Sequence, residues 1–280
     1  MPGNVIVGII NNSRIFTAAD FAAVETFTMA AGSFCAYTRR APDKSSDNED
    51  SIALMECAEG AAVIAVADGM GGLPAGDQAS AITIRQLEKS VNNACDDSSE
   101  LRGAILDGIE QANRIVLEKT SGSGTTIAAV ELVNRFVRAY HVGDSAILIV
   151  GQRGKIKYQT IPHSPVGYAV ESGFIEEEDA LFHEDRHLIS NMIGSEEMRL
   201  EIGPRIKLAP RDTLVIGSDG LFDNMHIEEI VEVIRSGPLQ EAAGKLVDIC
   251  TSRMLQPVKD TPHKPDDLGF IIYRPQKKPS

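Results

Sequence analysis

The chain has 280 residues, 43% of them hydrophobic and 24% charged, with a formal net charge of −13. That balance suits one large or two small globular domains, and the negative charge argues against nucleic acid or an anionic membrane as the main partner. No apolar run approaches a membrane span, and the first Arg is Arg14, so the opening residues lack the basic stretch of a secretory signal.

Residues 5–10 read as a short strand and residues 18–27 as a helical turn or two. Strand-like runs follow at 52–55, 61–67, 126–132, 137–142, 146–150, 213–217 and 270–273. A helix is expected over 77–91. A second starts at Leu101, where Ala104, Ile105, Gly108, Ile109, Ala112 and Val116 recur at helical spacing behind a possible capping pair, Asp97 and Glu100. Two more are expected over 227–235, closed by Gly237-Pro238, and over 240–255. Residues 165–205 are acid-rich and weakly periodic, which predicts a flap-like surface insert, and the tail 275–280 is expected to be disordered. The order of elements predicts an α+β fold with mainly antiparallel sheet.

Cys35, Cys57, Cys95 and Cys250 form no C-x-x-C pair. This spacing predicts small core residues in a reducing cytoplasm rather than a disulfide framework or zinc knuckle. The positions six after each Cys hold Ala41, Val63, Leu101 and Gln256, so a cysteine-dependent phosphatase lacks its phosphate-binding Arg.

Acidic residues recur at strand ends. "VIAVADG" ends at Asp68-Gly69, "TLVIGSDG" ends at Asp219-Gly220, "NED" leads into the strand at 52, "YHVGDS" sets Asp144 in a turn, and Asp266-Asp267 precede the last strand. One Asp-Gly after a strand is ordinarily a turn. Five such ends, if they converge, would repel one another unless cations or protons neutralise them. Without clustered Cys or His, Mg²⁺ or Mn²⁺ is the natural cation for such oxygen ligands. Competing motifs fail in detail: Gly69-Met70-Gly71-Gly72-Leu73 runs into Pro74 where a dinucleotide loop needs its third Gly, and no Gly-Lys-Ser/Thr triplet occurs.

Taken in order, "NEDS" at 48–51, "VADGMGG" at 66–72, "SGSGTTIAAV" at 121–130, "VGDSAILIV" at 142–150, "GSDGLFD" at 217–223 and "DDLG" at 266–269 resemble the metal-dependent protein phosphatase family (PPM, or PP2C type). Met70 resembles bacterial members. The resemblance implies a four-layer α-β-β-α sandwich, two mainly antiparallel sheets flanked by helix pairs, in a single domain over 1–280. It implies a cytoplasmic, monomeric phosphatase acting on phosphoserine and phosphothreonine proteins made by a serine/threonine kinase, through water bridging two metal ions. An alternative is a catalytically weak member serving as a regulatory or binding module, and a small-molecule phosphoester substrate is a third possibility.

Carried onto matching positions, the resemblance implies that Asp68 bridges two ions, with the Gly69 carbonyl, Asp50, Asp219 and Asp266 completing their ligands. Glu49 would orient water, and Asp144 with Asp219 would hold a weaker third ion. Three departures stand out. The family's phosphate-binding Arg is replaced by Ser45, leaving Arg39, Arg40 and Lys44 as candidates. Met70 cannot protonate a leaving alkoxide, so metal-bound water or one of His163, His183 and His187 is the candidate acid. Asp267 and Gly269 stand where the family often has Asn and Thr.

Overall fold

The computed structural model describes residues 13–29, 31–70, 75–120 and 122–275. One sheet runs in the order β1 (Ser13–Thr17), β4 (Asp50–Glu56), β5 (Ala62–Asp68), β6 (Ile127–Val133), β7 (Phe136–Val142) and β10 (Glu201–Ile202). A further strand, β11 (Ile206–Lys207), also pairs with β7. The other sheet runs β2 (Glu25–Met29), β3 (Gly32–Arg39), β13 (Leu268–Pro275), β12 (Thr213–Gly217), β8 (Ala146–Val150) and β9 (Ile156–Gln159). The pairings between these strands are antiparallel.

Alternation along each strand builds three apolar layers, because successive side chains leave opposite faces of a sheet. On β5, Val63, Ala65 and Ala67 pack with Ile84, Leu87 and Val91 of α1 (Gly76–Ala94) and with Ile105 and Ile109 of α2 (Leu101–Lys119). The intervening Ile64 and Val66 face the second sheet, meeting Ile216 and Ile271. Across that sheet, Val215, Phe270 and Ile272 pack with Ile230 of α6 (Ile227–Ile234) and Leu246 of α7 (Leu239–Leu255). The result is the expected α-β-β-α sandwich. Nearly continuous apolar strands are required here because both faces of each sheet are covered.

Several local expectations are corrected. Residues 25–29 are strand, not helix, because Phe27 pairs with Phe34 and Thr26 with Cys35 across β3, where β-branched and aromatic side chains pack well. Asp97 accepts from the Ser99 amide at 2.8 Å and so shapes a turn, while the Glu100 side chain makes no capping bond to α2. Cys57 and Cys95 are joined as a disulfide tying the end of β4 to the end of α1. That pair overturns the reading of all four cysteines as core thiols, and with it the argument from cysteine usage for a reducing compartment. Cys35 and Cys250 are buried and free. The predicted strand at 5–10 and residues 276–280 of the predicted tail lie outside the described residues.

Within 165–205 lie two short helices, α3 (Pro165–Glu171) and α4 (Glu177–Ala180), before the chain returns to β10. Ser164 caps α3 by accepting from the Gly167 amide at 2.9 Å. Elements this short leave little sequence periodicity, hence the weak signal. No helix among the described residues is long and apolar enough to cross a membrane.

Candidate active site

Antiparallel pairing brings the acidic strand ends to one edge of the sandwich. Asp50 starts β4 and Asp68 ends β5, and the two lie directly opposite in register. Like charges in that position repel. On the facing sheet β12 ends where β13 begins, so Asp219, at the first turn of α5 (Asp219–Phe222), adjoins Asp266 and Asp267. Asp144 lies in the β7–β8 turn, next to Gly143, whose φ of +101° suits glycine. The sequence-nominated Asp50, Asp68, Asp144, Asp219 and Asp266 thus converge.

The backbone around Asp68 is tightly held. Its amide donates to Thr126 Oγ1 at 3.0 Å, and its carbonyl accepts from the Thr126 amide at 2.9 Å and Thr125 Oγ1 at 2.7 Å. The Gly69 amide donates to the Glu49 carbonyl at 3.1 Å, and a Cβ at Gly69 would collide with the Gly76 carbonyl at the start of α1. Gly69 is therefore needed for close backbone passage, whatever its own carbonyl binds. Asp50 is fully buried; its Oδ2 accepts from Ser218 Oγ at 2.7 Å, joining the two sheets.

The electrostatics are those of crowded, desolvated carboxylates. Burial, then the Asp267 charge, push Asp50 well above the usual carboxylate range. Burial, then Asp50 and Asp219, do the same to Asp68. Asp144 is raised to about 8 by burial and then by Asp219 and Asp223; Asp266 is raised to about 6 by burial and then by Asp219. Among the described residues, buried side-chain oxygens without a hydrogen-bond partner include Asp50 Oδ1, Asp144 Oδ1 and Asp219 Oδ1. Buried polar atoms are rarely left unpaired, and hard, oxygen-only donors suit divalent Mg²⁺ or Mn²⁺. The residues present therefore fit a metal centre.

Two lysines reach this edge. Lys264 contacts Asp219 Oδ2 and lies 3.0 Å from Asp266 Oδ2 and 3.5 Å from Asp223 Oδ2. Burial opposes its charge, but Asp219, Asp223 and Asp266 together hold its pKa above the usual lysine range. Lys44 bonds Glu49 Oε2 and Asp267 Oδ2, each at 2.6 Å. Asp267 also accepts from the Ala41 and Glu49 amides at 2.7 and 2.6 Å, so it fastens the 41–49 loop.

Sequence reasoning missed Lys264, Asp223 and the clamp at Asp267. Asp223 was legible as the residue one helical turn after Asp219, whereas Lys264 carries no such local signal. The other candidate side chains make no ion pair or hydrogen bond with the cluster carboxylates among the described residues. Arg40 pairs with Asp20 at 3.3 Å on the surface, and among the described residues no Arg ion-pairs with a cluster carboxylate. Arg39, at the end of β3, shares with Arg40, Lys44 and Asp266 the wall of a cavity on the α7 side. His163 Nδ1 accepts from the Gly143 amide at 3.1 Å and from Asn191 Nδ2 at 2.8 Å, while its Nε2 faces Glu201 at 3.2 Å. His183 Nδ1 accepts from the Asp185 amide at 3.1 Å, and His187 is exposed. No hydrogen bond links any of the three to a cluster carboxylate among the described residues.

Residues 39–248 match the sequence profile of the protein phosphatase 2C family. The chain belongs to that family. A protein named as phosphatase 2C-type in Streptococcus pyogenes is 34% identical over 218 residues, covering 75% of this chain and 88% of the relative. The serine/threonine phosphatase stp of Listeria monocytogenes is 30% identical over 198 residues, covering 68% of this chain and 78% of its own length. The solved serine/threonine phosphatase of S. agalactiae superposes with a TM-score of 0.73 at 30% identity, over 87% of this chain and 99% of that one. The expectations of a serine/threonine phosphatase of bacterial type and of its sandwich fold therefore hold.

Proposed function

We propose that this phosphatase 2C member is a Mg²⁺- or Mn²⁺-dependent hydrolase of phosphoserine and phosphothreonine in proteins modified by a serine/threonine kinase. The observation that carries the proposal is the set of unpaired, buried carboxylate oxygens on Asp50, Asp144 and Asp219 at one edge of a phosphatase fold. Asp68, Asp219, Asp266 and the Gly69 carbonyl would hold two core ions, with Asp50 beside them, and Asp144 with Asp219 a weaker third. Bound ions would supply Lewis acidity toward the phosphoryl group and activate the attacking water. A solved catalytic domain of the phosphatase PstP, of the same fold, carries two manganese ions, which supports this ion class.

The chain's own residues set the stage. Ser218 and the paired strands fix Asp50, while the Thr125 and Thr126 hydroxyls fix the backbone of Asp68. Glu49 orients water at the rim while Lys44 restrains its carboxylate. Residues 165–205 act as a flap over the site in a monomeric enzyme.

A second reading is favoured by Lys264 on three of the carboxylates and by the lack of an Arg paired to the cluster: a catalytically weak regulatory module. Mn²⁺-dependent hydrolysis of p-nitrophenyl phosphate and of a phosphothreonine peptide separates the two. The wild type is expected to exceed an Asp68→Ala/Asp219→Ala control by at least about a thousandfold. Activity no greater than that control would establish the second reading instead. A strong preference for small phosphoesters over phosphopeptides would move the substrate class.

A further inference from the structure

A cavity of about 350 Å³ opens beside the acid cluster, between the 165–205 segment and the α5–α6 region, and Asp144, Asp219 and Asp223 form part of its wall. Its floor is apolar, built from Ala146, Ile161, Val166, Val170, Phe222 and Met225. Four glutamates, Glu171, Glu177, Glu178 and Glu228, stand around it and are exposed. Among the described residues the lining includes one Arg and no Lys. That Arg186 bonds the Leu181 and His263 carbonyls and keeps its charge, so it is one cation set against seven carboxylates in the wall.

We propose that this cavity receives a basic side chain, Lys or Arg, lying near the phosphorylated residue of the protein substrate. The inference rests on the phosphatase reading and adds a substrate preference to it. A phosphoryl group placed at Asp68 and Asp219 would bring neighbouring substrate residues over the cavity mouth, because an extended chain advances about 3.3–3.6 Å per residue. The apolar floor accommodates the methylene stem of such a side chain, and the glutamates face its charged head. The volume lies at the lower end of the roughly 300–1,000 Å³ found for pockets that enclose a whole ligand, which suits one long side chain. An additional anionic group would meet a wall in which carboxylates outnumber Arg186 seven to one.

The test uses the full chain loaded with Mn²⁺ and phosphothreonine peptides that differ only in carrying Arg, Ala or Glu at each position within four residues of the phosphothreonine. At one or two positions the Arg peptide is expected to exceed the Glu peptide in kcat/KM by on the order of tenfold, through KM, with the difference shrinking at high salt. In a Glu171→Gln/Glu177→Gln/Glu178→Gln variant the Arg-to-Glu ratio is expected to fall to within about twofold of unity. A second variant, Val170→Lys, places a cation on the floor and is expected to invert the ratio. Equal kcat/KM for Arg and Glu peptides at every position, or a preference that survives both variants, would overturn the inference while leaving the phosphatase reading intact. Absence of hydrolysis of every peptide and of p-nitrophenyl phosphate would overturn that reading and the inference with it.

Discussion

The two sheets furnish the acid cluster differently. Asp50 and Asp68, from β4 and β5, face each other with no ion-pair partner among the described residues. Asp219, Asp223 and Asp266, from the ends of β12, α5 and the start of β13, share the ammonium of Lys264. One pole must find its countercharge from outside the chain or stay protonated, and the other carries a cation of its own. Removing charges from water is costly unless they are paired, so an external cation gains most at the first pole and meets competition at the second.

The largest effect should come from removing Asp68 from the first pole. Asp68→Ala is expected to lower Mn²⁺-dependent hydrolysis of p-nitrophenyl phosphate by about a thousandfold or more and to abolish tight Mn²⁺ binding in calorimetry. Retention of both would show that the ions are held elsewhere. Removing the internal cation sharpens the contrast: Lys264→Met is expected to raise Mn²⁺ affinity at the weaker site by about tenfold and to destabilise the metal-free protein. Unchanged affinity in that variant would remove the asymmetry from the account.

A smaller effect follows from protonation. Carboxylates raised in the folded state, Asp144 to about 8 and Asp266 to about 6, bind protons that the unfolded chain has released. The stability of the metal-free protein should therefore be greatest near about pH 4 and decline as pH rises through 6 to 8, with Tm falling by about 5–10 °C. Saturating Mn²⁺ should flatten that profile, and a metal-free Tm that rises over the same interval would reverse the sign assigned here. The smallest effect on the site should come from reducing Cys57–Cys95, which closes a sequence separation of 38 residues at the far end of β4. Reduction is expected to cost about 3–4 kcal/mol of stability in chemical denaturation while leaving Mn²⁺ affinity within about twofold.

Much of this was legible before the structure. Asp68 and Asp219 each end an apolar strand at a glycine, and such local patterns survive folding because the strand itself aims the residue. The sandwich was legible from the same runs. Lys264 was not, since a lysine in a Pro-flanked loop reads as solvated until the β12–β13 pairing sets it over α5. The disulfide was hidden for a related reason: Cys57 and Cys95 meet only once α1 packs along β4 and β5. Residues 25–29 misled because local propensity yielded to pairing with β3. Lys44 was nominated for phosphate, yet its bonds to Glu49 and Asp267 assign it to loop fastening, a role that depends on a partner more than two hundred residues away.

The most direct test of the central claim is anomalous diffraction at the manganese edge from crystals grown with Mn²⁺. Two strong peaks are expected, bounded by Asp68, the Gly69 carbonyl, Asp219 and Asp266, with Lys264 displaced from Asp219. No peak within ligand distance of Asp68, in crystals of protein that hydrolyses a phosphothreonine peptide in the same Mn²⁺ buffer, would contradict that claim.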